Sequence, residues 1–226
     1  MQLYKFMCLE PFEHVADALL GRRLYCPTPD QPNDPLEGFL GNVSQQTDGP
    51  QTLDSQLEAG FRMLFDTERE LSKVRVCCFS GRPDSYQMWS YYTGGHKGLC
   101  LELEMSQYAR QIVRIEYVDD ITMLSSKTPI ERLSFKHFNW RHEDEYRLII
   151  PNDSQRKFLP VQIESVLIGA GTDRRFLLPL FELCRHMGLR REIASFSTQG
   201  KFVRLKLKQD VPFLDRLRGD DDLGSS

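Results

Sequence analysis

Apolar residues recur along the chain in two rhythms. Leu99, Leu101 and Leu103 alternate with Cys100, Glu102 and Glu104, which predicts a strand over 98–104. Compact apolar runs predict further strands over 3–7, 24–26, 74–79, 112–118, 145–150, 165–169, 193–197 and 202–207. The second rhythm is helical. Phe12, Val15, Ala16, Leu19 and Leu20 share one stripe over 11–20, and Gly21 follows them as a stop. Leu57, Phe61, Leu64 and Phe65 predict a helix over 55–71. Further helices are predicted over 85–92, 129–138 and 174–187, with Gly94–Gly95 and Gly188 as breakers.

Polar and turn-forming stretches separate these elements. Residues 27–38, PTPDQPNDPLEG, read as an ordered loop of turns. Residues 41–52 read as a polar connection, and 216–226, ending GDDDLGSS, as a disordered acidic tail. The order of elements is mixed, without regular βαβα alternation or internal repeats. It predicts one α+β domain over 1–215, with a mostly antiparallel or split sheet flanked by helices. A doubly wound dinucleotide fold is not expected. GxGxxG is absent, and the GAGTD at 169–173 is too short a match.

Composition narrows the class. Of 226 residues, 40% are hydrophobic and 11% aromatic, enough for a buried core. Lys plus Arg is 29 and Asp plus Glu is 32, a formal net charge of -3, which argues against coating nucleic acid by bulk charge. Glu10, Glu13 and Asp17 interrupt the N-terminal stretch, so no secretory signal or membrane span is expected and the reading is cytoplasmic. Cys8, Cys26, Cys77, Cys78, Cys100 and Cys184 form no CxxC pair, and buried free thiols are expected, with Cys78 as the catalytic alternative.

Three segments carry candidate chemistry. In Trp140–Arg147 a strand would put Glu143, Glu145 and Arg147 on one face. Paired carboxylates repel, which raises one pKa, while a neighbouring Arg holds the other ionised. The pair suits acid–base or cation-stabilising work, and a solvated ion pair is the plain alternative. In 88–98 the aromatic residues Trp89, Tyr91 and Tyr92 stand with Ser90 beside a Gly pair, followed by His96 and Lys97. Such rings stack on planar groups and such cations meet phosphate, or the rings simply fill the core. Asn33-Asp34-Pro35 either caps nearby backbone or meets a ribose.

Other chemistry is less well served. No GxSxG nucleophile elbow occurs. Asp34, Glu143 and Glu145 around a metal, as in a nuclease or nucleic-acid-binding defence protein, remain an alternative. Arg185–Arg191 and 201–208 concentrate basic residues, with Phe202, Arg204, Lys206 and Lys208 on one strand face that could meet phosphates, a solvated face being the plainer reading.

Taken in order, these segments resemble the bacterial DUF2971 family. The matching motifs are Leu3-Tyr4-Lys5-Phe6, Pro32-Asn33-Asp34-Pro35, Cys78-Phe79-Ser80, Met88 to Leu101, and Lys136, Trp140, Glu143, Glu145 and Arg147, followed by Ile168-Gly169. Pro32, Tyr91 and Gly94-Gly95 depart from the family pattern. The layout is also similar to the ADP-ribosyltransferases, and that likeness implies an ADP-ribosyltransferase-like fold using NAD to modify a macromolecule, nucleic acid or protein, as a toxin or anti-phage effector. It implies Glu145 at the ribose and Glu143 at the acceptor, with Trp89 or Tyr92 on nicotinamide. Tyr4, Lys5, Asn33, Asp34, Ser90, His96, Lys97 and Arg147 would line the cofactor. An antitoxin or effector-complex subunit is the implied protein partner. A non-catalytic ligand-sensing domain is the remaining alternative, with the aromatic segment as its binding surface and the Glu–Arg network structural.

Overall fold

In the computed structural model the described residues are 1–29, 69–151 and 157–206. The chain runs β1 (Gln2–Met7), α1 (Phe12–Gly21), β2 (Arg23–Tyr25), β3 (Arg75–Ser80), α2 (Tyr86–Tyr92), β4 (Leu99–Glu104), β5 (Ile112–Arg114) and β6 (Glu116–Val118). It continues through α3 (Pro129–Arg132), β7 (Phe135–His137), β8 (Glu145–Ile150), β9 (Phe158–Pro160), β10 (Gln162–Gly169), α4 (Arg174–His186), β11 (Arg190–Phe196) and β12 (Phe202–Lys206). This is an α+β chain of mixed sheet and a few helices, and the α+β class is the one the patterning predicts. Asn33, Asp34, the 41–52 connection and the 216–226 tail lie outside the described residues, as does most of the 55–71 segment.

The described residues group into two compact units. The first takes residues 1–23, 80–106 and 160–206, and the second takes 24–29, 69–79, 107–151 and 157–159. In the first, the strand order is β12-β11-β10-β4-β1. All neighbours are antiparallel except β10 and β11, which run parallel with α4 as the crossover. Strand alternation sorts this sheet into two faces. One face carries Tyr4, Phe6, Cys100, Leu167 and Ala194, onto which α2 presses Met88 and Trp89. Tyr92, Phe196 and Phe202 pack at its margin. The opposite face meets α4, where Arg191 lies over the Phe181 ring at 5.3 Å. Phe12 of α1 stacks on Phe176 of α4 at 6.1 Å, so these two helices are neighbours.

In the second unit β8 lies between β3 and β5, and β5 pairs with it antiparallel. β2 pairs with β9, and β6 with β7. Leu71, Val74, Val76 and Leu133 form its apolar cluster, joined by Cys78, Ile130 and Ile149.

Three predicted elements differ. The helix expected over 129–138 is one turn, α3, started by a capping box in which Thr128 and Glu131 bond each other's backbone. The chain then extends as β7, because Phe135–His137 pairs in parallel with Glu116–Val118 and buries Lys136. The strand expected over 112–118 is two strands, broken at Ile115, whose N–H turns to the Glu145 carbonyl. Glu143 is not in a strand. It closes a 3₁₀ helix, Phe138–Glu143, and Asp144 takes φ 42 in the left-handed region before β8 begins.

Candidate functional site

The first unit holds a cluster of rings at the end of α2. Ser85 caps this short helix by accepting from the Met88 N–H. Its C-terminus closes with Gly95 N–H donating to the Ser90 carbonyl and His96 N–H to the Trp89 carbonyl, both at 3.0 Å. Gly94, Gly95 and His96 all have positive φ, 63°, 77° and 65°. The chain therefore folds back on the helix. That return lays the His96 imidazole parallel to the Trp89 indole, with centroids 6.3 Å apart and planes 8° apart. Tyr86 and Phe196 flank it at 4.7 Å and 5.5 Å. His96 Nε2 stands 3.3 Å from Ser90 Oγ. Burial lowers the His96 pKa, because the imidazolium loses hydration there.

A glycine clasp fixes this turn from outside. Gly171 N–H donates to the His96 carbonyl at 3.1 Å, Gly169 N–H to the Gly98 carbonyl at 2.9 Å, and Thr172 Oγ1 to the Lys97 carbonyl at 3.0 Å. A Cβ on Gly169 would lie 2.2 Å from the His96 oxygen. The GAGT segment is thus a backbone clasp on the GGHKG turn, and the glycines are there for close approach.

The residues expected at a cofactor occupy different settings. Trp89 is entirely buried, its Nε1 bonded to the Pro83 carbonyl and its ring edge-on to Phe6. Ser90, Tyr92 and His96 are half-buried and Lys97 is exposed. Tyr86 is 58% exposed and lies one helical turn before Ser90. Tyr4 and Lys5 point to opposite faces of β1. Tyr4 is buried on the Trp89 face, and burial, aided by the neighbouring Glu102 charge, raises its pKa.

Farther along that same face lies a polar network. Arg204 Nη2 donates to Glu102 Oε2 at 2.9 Å, and its Nε to Glu192 Oε2 at 2.5 Å. Ser165 Oγ and Gln2 Nε2 also donate to Glu102. The Arg204 charge proposed for phosphate contact is thus satisfied by two carboxylates. The legible signal was an acidic residue on that face of each neighbouring strand, Glu102 in β4 and Glu192 in β11, with Arg204 in β12.

The second unit gathers Glu143, Glu145 and Arg147 around Lys136, all buried. Lys136 Nζ donates to Glu143 at 2.6 Å and to Glu145 at 3.1 Å. Arg147 donates to both oxygens of Glu145 at 2.7 Å and 3.0 Å, and to the Leu133 carbonyl at 2.9 Å. Trp140 covers Lys136 with its ring at 4.8 Å, and the Glu145 N–H donates to Tyr117 Oη at 2.8 Å. Burial alone would push the Glu145 carboxyl up. The charge and paired hydrogen bonds of Arg147, then Lys136 and the Cys78 thiol, outweigh it and hold the carboxyl below its ordinary range. Two positive and two negative charges close the cluster at neutrality. The raised carboxylate pKa expected from Glu143–Glu145 repulsion does not arise at Glu145, because cations separate the pair.

Burial also pushes the Cys184 thiol up to about 11 and raises Cys100 well above the usual thiol range. The described cysteines are free thiols. Among the described residues no group of three or more His, Cys, Asp or Glu is placed to hold a metal, and no helix is long and apolar enough to cross a membrane. No family model, curated protein or solved structure matches the chain.

Proposed function

We propose that this chain is a ligand-recognition domain whose ring surface at Tyr86, His96 and Phe196 takes up a planar heteroaromatic group, such as the base or nicotinamide of a nucleotide. The observation that carries this reading is the His96 imidazole, held on Trp89 and between Tyr86 and Phe196 with its Nε2 at Ser90. Stacking of one base on an aromatic side chain contributes about 1–3 kcal/mol, enough for a weak hold. The neutral imidazole and the Ser90 hydroxyl add hydrogen-bonding edges, and Lys97 offers a cation to a phosphate. The sealed, neutral cluster at Glu145 fits a structural part. Calorimetric titration of the full chain with NAD, AMP and nicotinamide tests the reading. Binding of at least one, weakened tenfold or more by Tyr86→Ala, supports it. No binding of any, or binding indifferent to Tyr86, overturns it.

ADP-ribosyl transfer from NAD to a macromolecular acceptor, on an ADP-ribosyltransferase-like fold, is the second reading. What favours it is that Arg147 and Lys136 keep Glu145 ionised, the state needed beside an oxocarbenium-like ribose. Nicotinamide release from NAD that vanishes in Glu145→Gln supports it, and release unchanged in that variant removes it.

A further inference from the structure

We infer that Ser90 is a nucleophile and His96 its general base, acting on an acyl electrophile attached to a planar group. The inference takes from the proposed function only the location of the planar group. Ser90 Oγ and His96 Nε2 are 3.3 Å apart, within the reach at which an unliganded nucleophile–base pair stands.

The placement of His96 is fixed at every point that matters. A non-glycine residue at φ 65 carries a local cost of about 1–2 kcal/mol. It persists where surrounding structure over-determines it, and such positions cluster at functional sites. Here the His96 N–H is tied to the Trp89 carbonyl and its own carbonyl to the Gly171 N–H. The ring is held in place by stacking on Trp89 and by Tyr86. Burial disfavours the imidazolium, and in the tautomer protonated at Nδ1 the Nε2 lone pair takes the Ser90 proton. Both side chains are only half-buried, so the pair is open to an incoming molecule.

The chemistry balances with water as the only co-reactant. Ser90 Oγ bonds to the acyl carbon while its proton passes to Nε2. The tetrahedral adduct collapses, the bond to the leaving oxygen breaks, and that oxygen takes the proton from Nε2. Water then gives a proton to Nε2 and attacks the acyl-serine; the bond to Oγ breaks, Oγ takes that proton back from Nε2, and the acid leaves.

The test is labelling of the full chain with a biotinylated fluorophosphonate, followed by intact mass and peptide mapping. The expected result is a single adduct at Ser90 with loss of fluoride, absent in Ser90→Ala. His96→Gln should slow labelling by about 10²-fold or more, while circular dichroism shows the same fold. No labelling of the folded wild-type chain, labelling that persists in Ser90→Ala, or a rate unchanged in His96→Gln overturns the inference. Failure here leaves nucleotide binding to Tyr86 intact in calorimetry, whereas failure of the recognition reading shows as labelling without any bound nucleotide.

Discussion

Arg147 grips Glu145 with two parallel hydrogen bonds, 2.7 Å and 3.0 Å long, and the Arg147 side chain is among the largest fully buried ones of the described residues. Two residues apart on β8, the side chains share a face as strand alternation requires. Both are buried, so each charge depends on its protein partners.

Arg147→Met should therefore destabilise the chain by about 3–5 kcal/mol, because it strands a buried carboxylate. The double variant Glu145→Leu/Arg147→Met should recover most of that loss, since replacing both members of a buried pair by apolar groups is often neutral. Urea unfolding of the four members of this cycle measures the coupling. Equal losses in the single and double variants would show that Arg147 acts through packing or its Leu133 bond and not through Glu145.

The same pair sets a pH dependence. The folded-state pKa of Glu145 lies below its unfolded value of about 4.3. A depressed folded pKa adds stability that is full above the unfolded value and is lost as pH falls through the folded one. Acidification should thus weaken the wild-type chain more steeply than Glu145→Gln, which lacks that titration. Urea midpoints followed from about pH 7 down to about pH 3 should show the wild-type advantage over Glu145→Gln shrinking below the unfolded carboxylate pKa. Parallel curves would remove Glu145 from the acid response.

Gly169→Ala tests the clasp. The added Cβ would meet the His96 carbonyl oxygen at 2.2 Å and its carbon at 2.8 Å, both backbone atoms with no freedom to swing aside. The expected cost is about 1–3 kcal/mol, with a fall in any ligand affinity that depends on His96. Gly21→Ala is the control. There the nearest atoms belong to the flexible Arg23 side chain, at 3.1 Å or more, and alanine is the better helix former by about 1 kcal/mol. Thermal unfolding of the two variants should move in opposite directions.

Much of this was legible from residue pattern, where the pattern is local. The alternation at 99–104 gave β4 and its faces, and the Gly94–Gly95 pair gave the end of α2. Lys136 shows where local pattern stops. It sits in a segment with helical spacing, yet two glutamates seven and nine residues on draw it into a strand and bury it. Propensity contributes tenths of a kcal/mol per residue there, while a buried Lys136 left without its glutamates would cost several. Phe196 joined the His96 cluster with no sequence signal at all, because the parallel pairing of β10 and β11 brings it there. Tyr86 did leave a signal, one helical turn before Ser90, and it is the ring most open to solvent in that cluster.

The backbone at His96 separates what the turn needs from what the imidazole does. At φ 65 a Cβ is strained, so the turn by itself would favour glycine. His96→Gly and His96→Ala remove the same ring contacts with Trp89, Tyr86 and Phe196. They differ only in the Cβ, so the glycine variant should be the more stable by about 1 kcal/mol. Both should lose fluorophosphonate labelling of Ser90 and ligand binding alike, because both lack Nε2. Stability that rises from Ala to Gly while labelling stays absent in both would show that histidine is held at this position for its side chain and against the preference of its backbone. Equal stabilities in urea would mean that the turn relaxes out of the left-handed region once the ring is gone. In that case the imidazole, gripped by its three neighbouring rings, is what holds the turn in its observed shape.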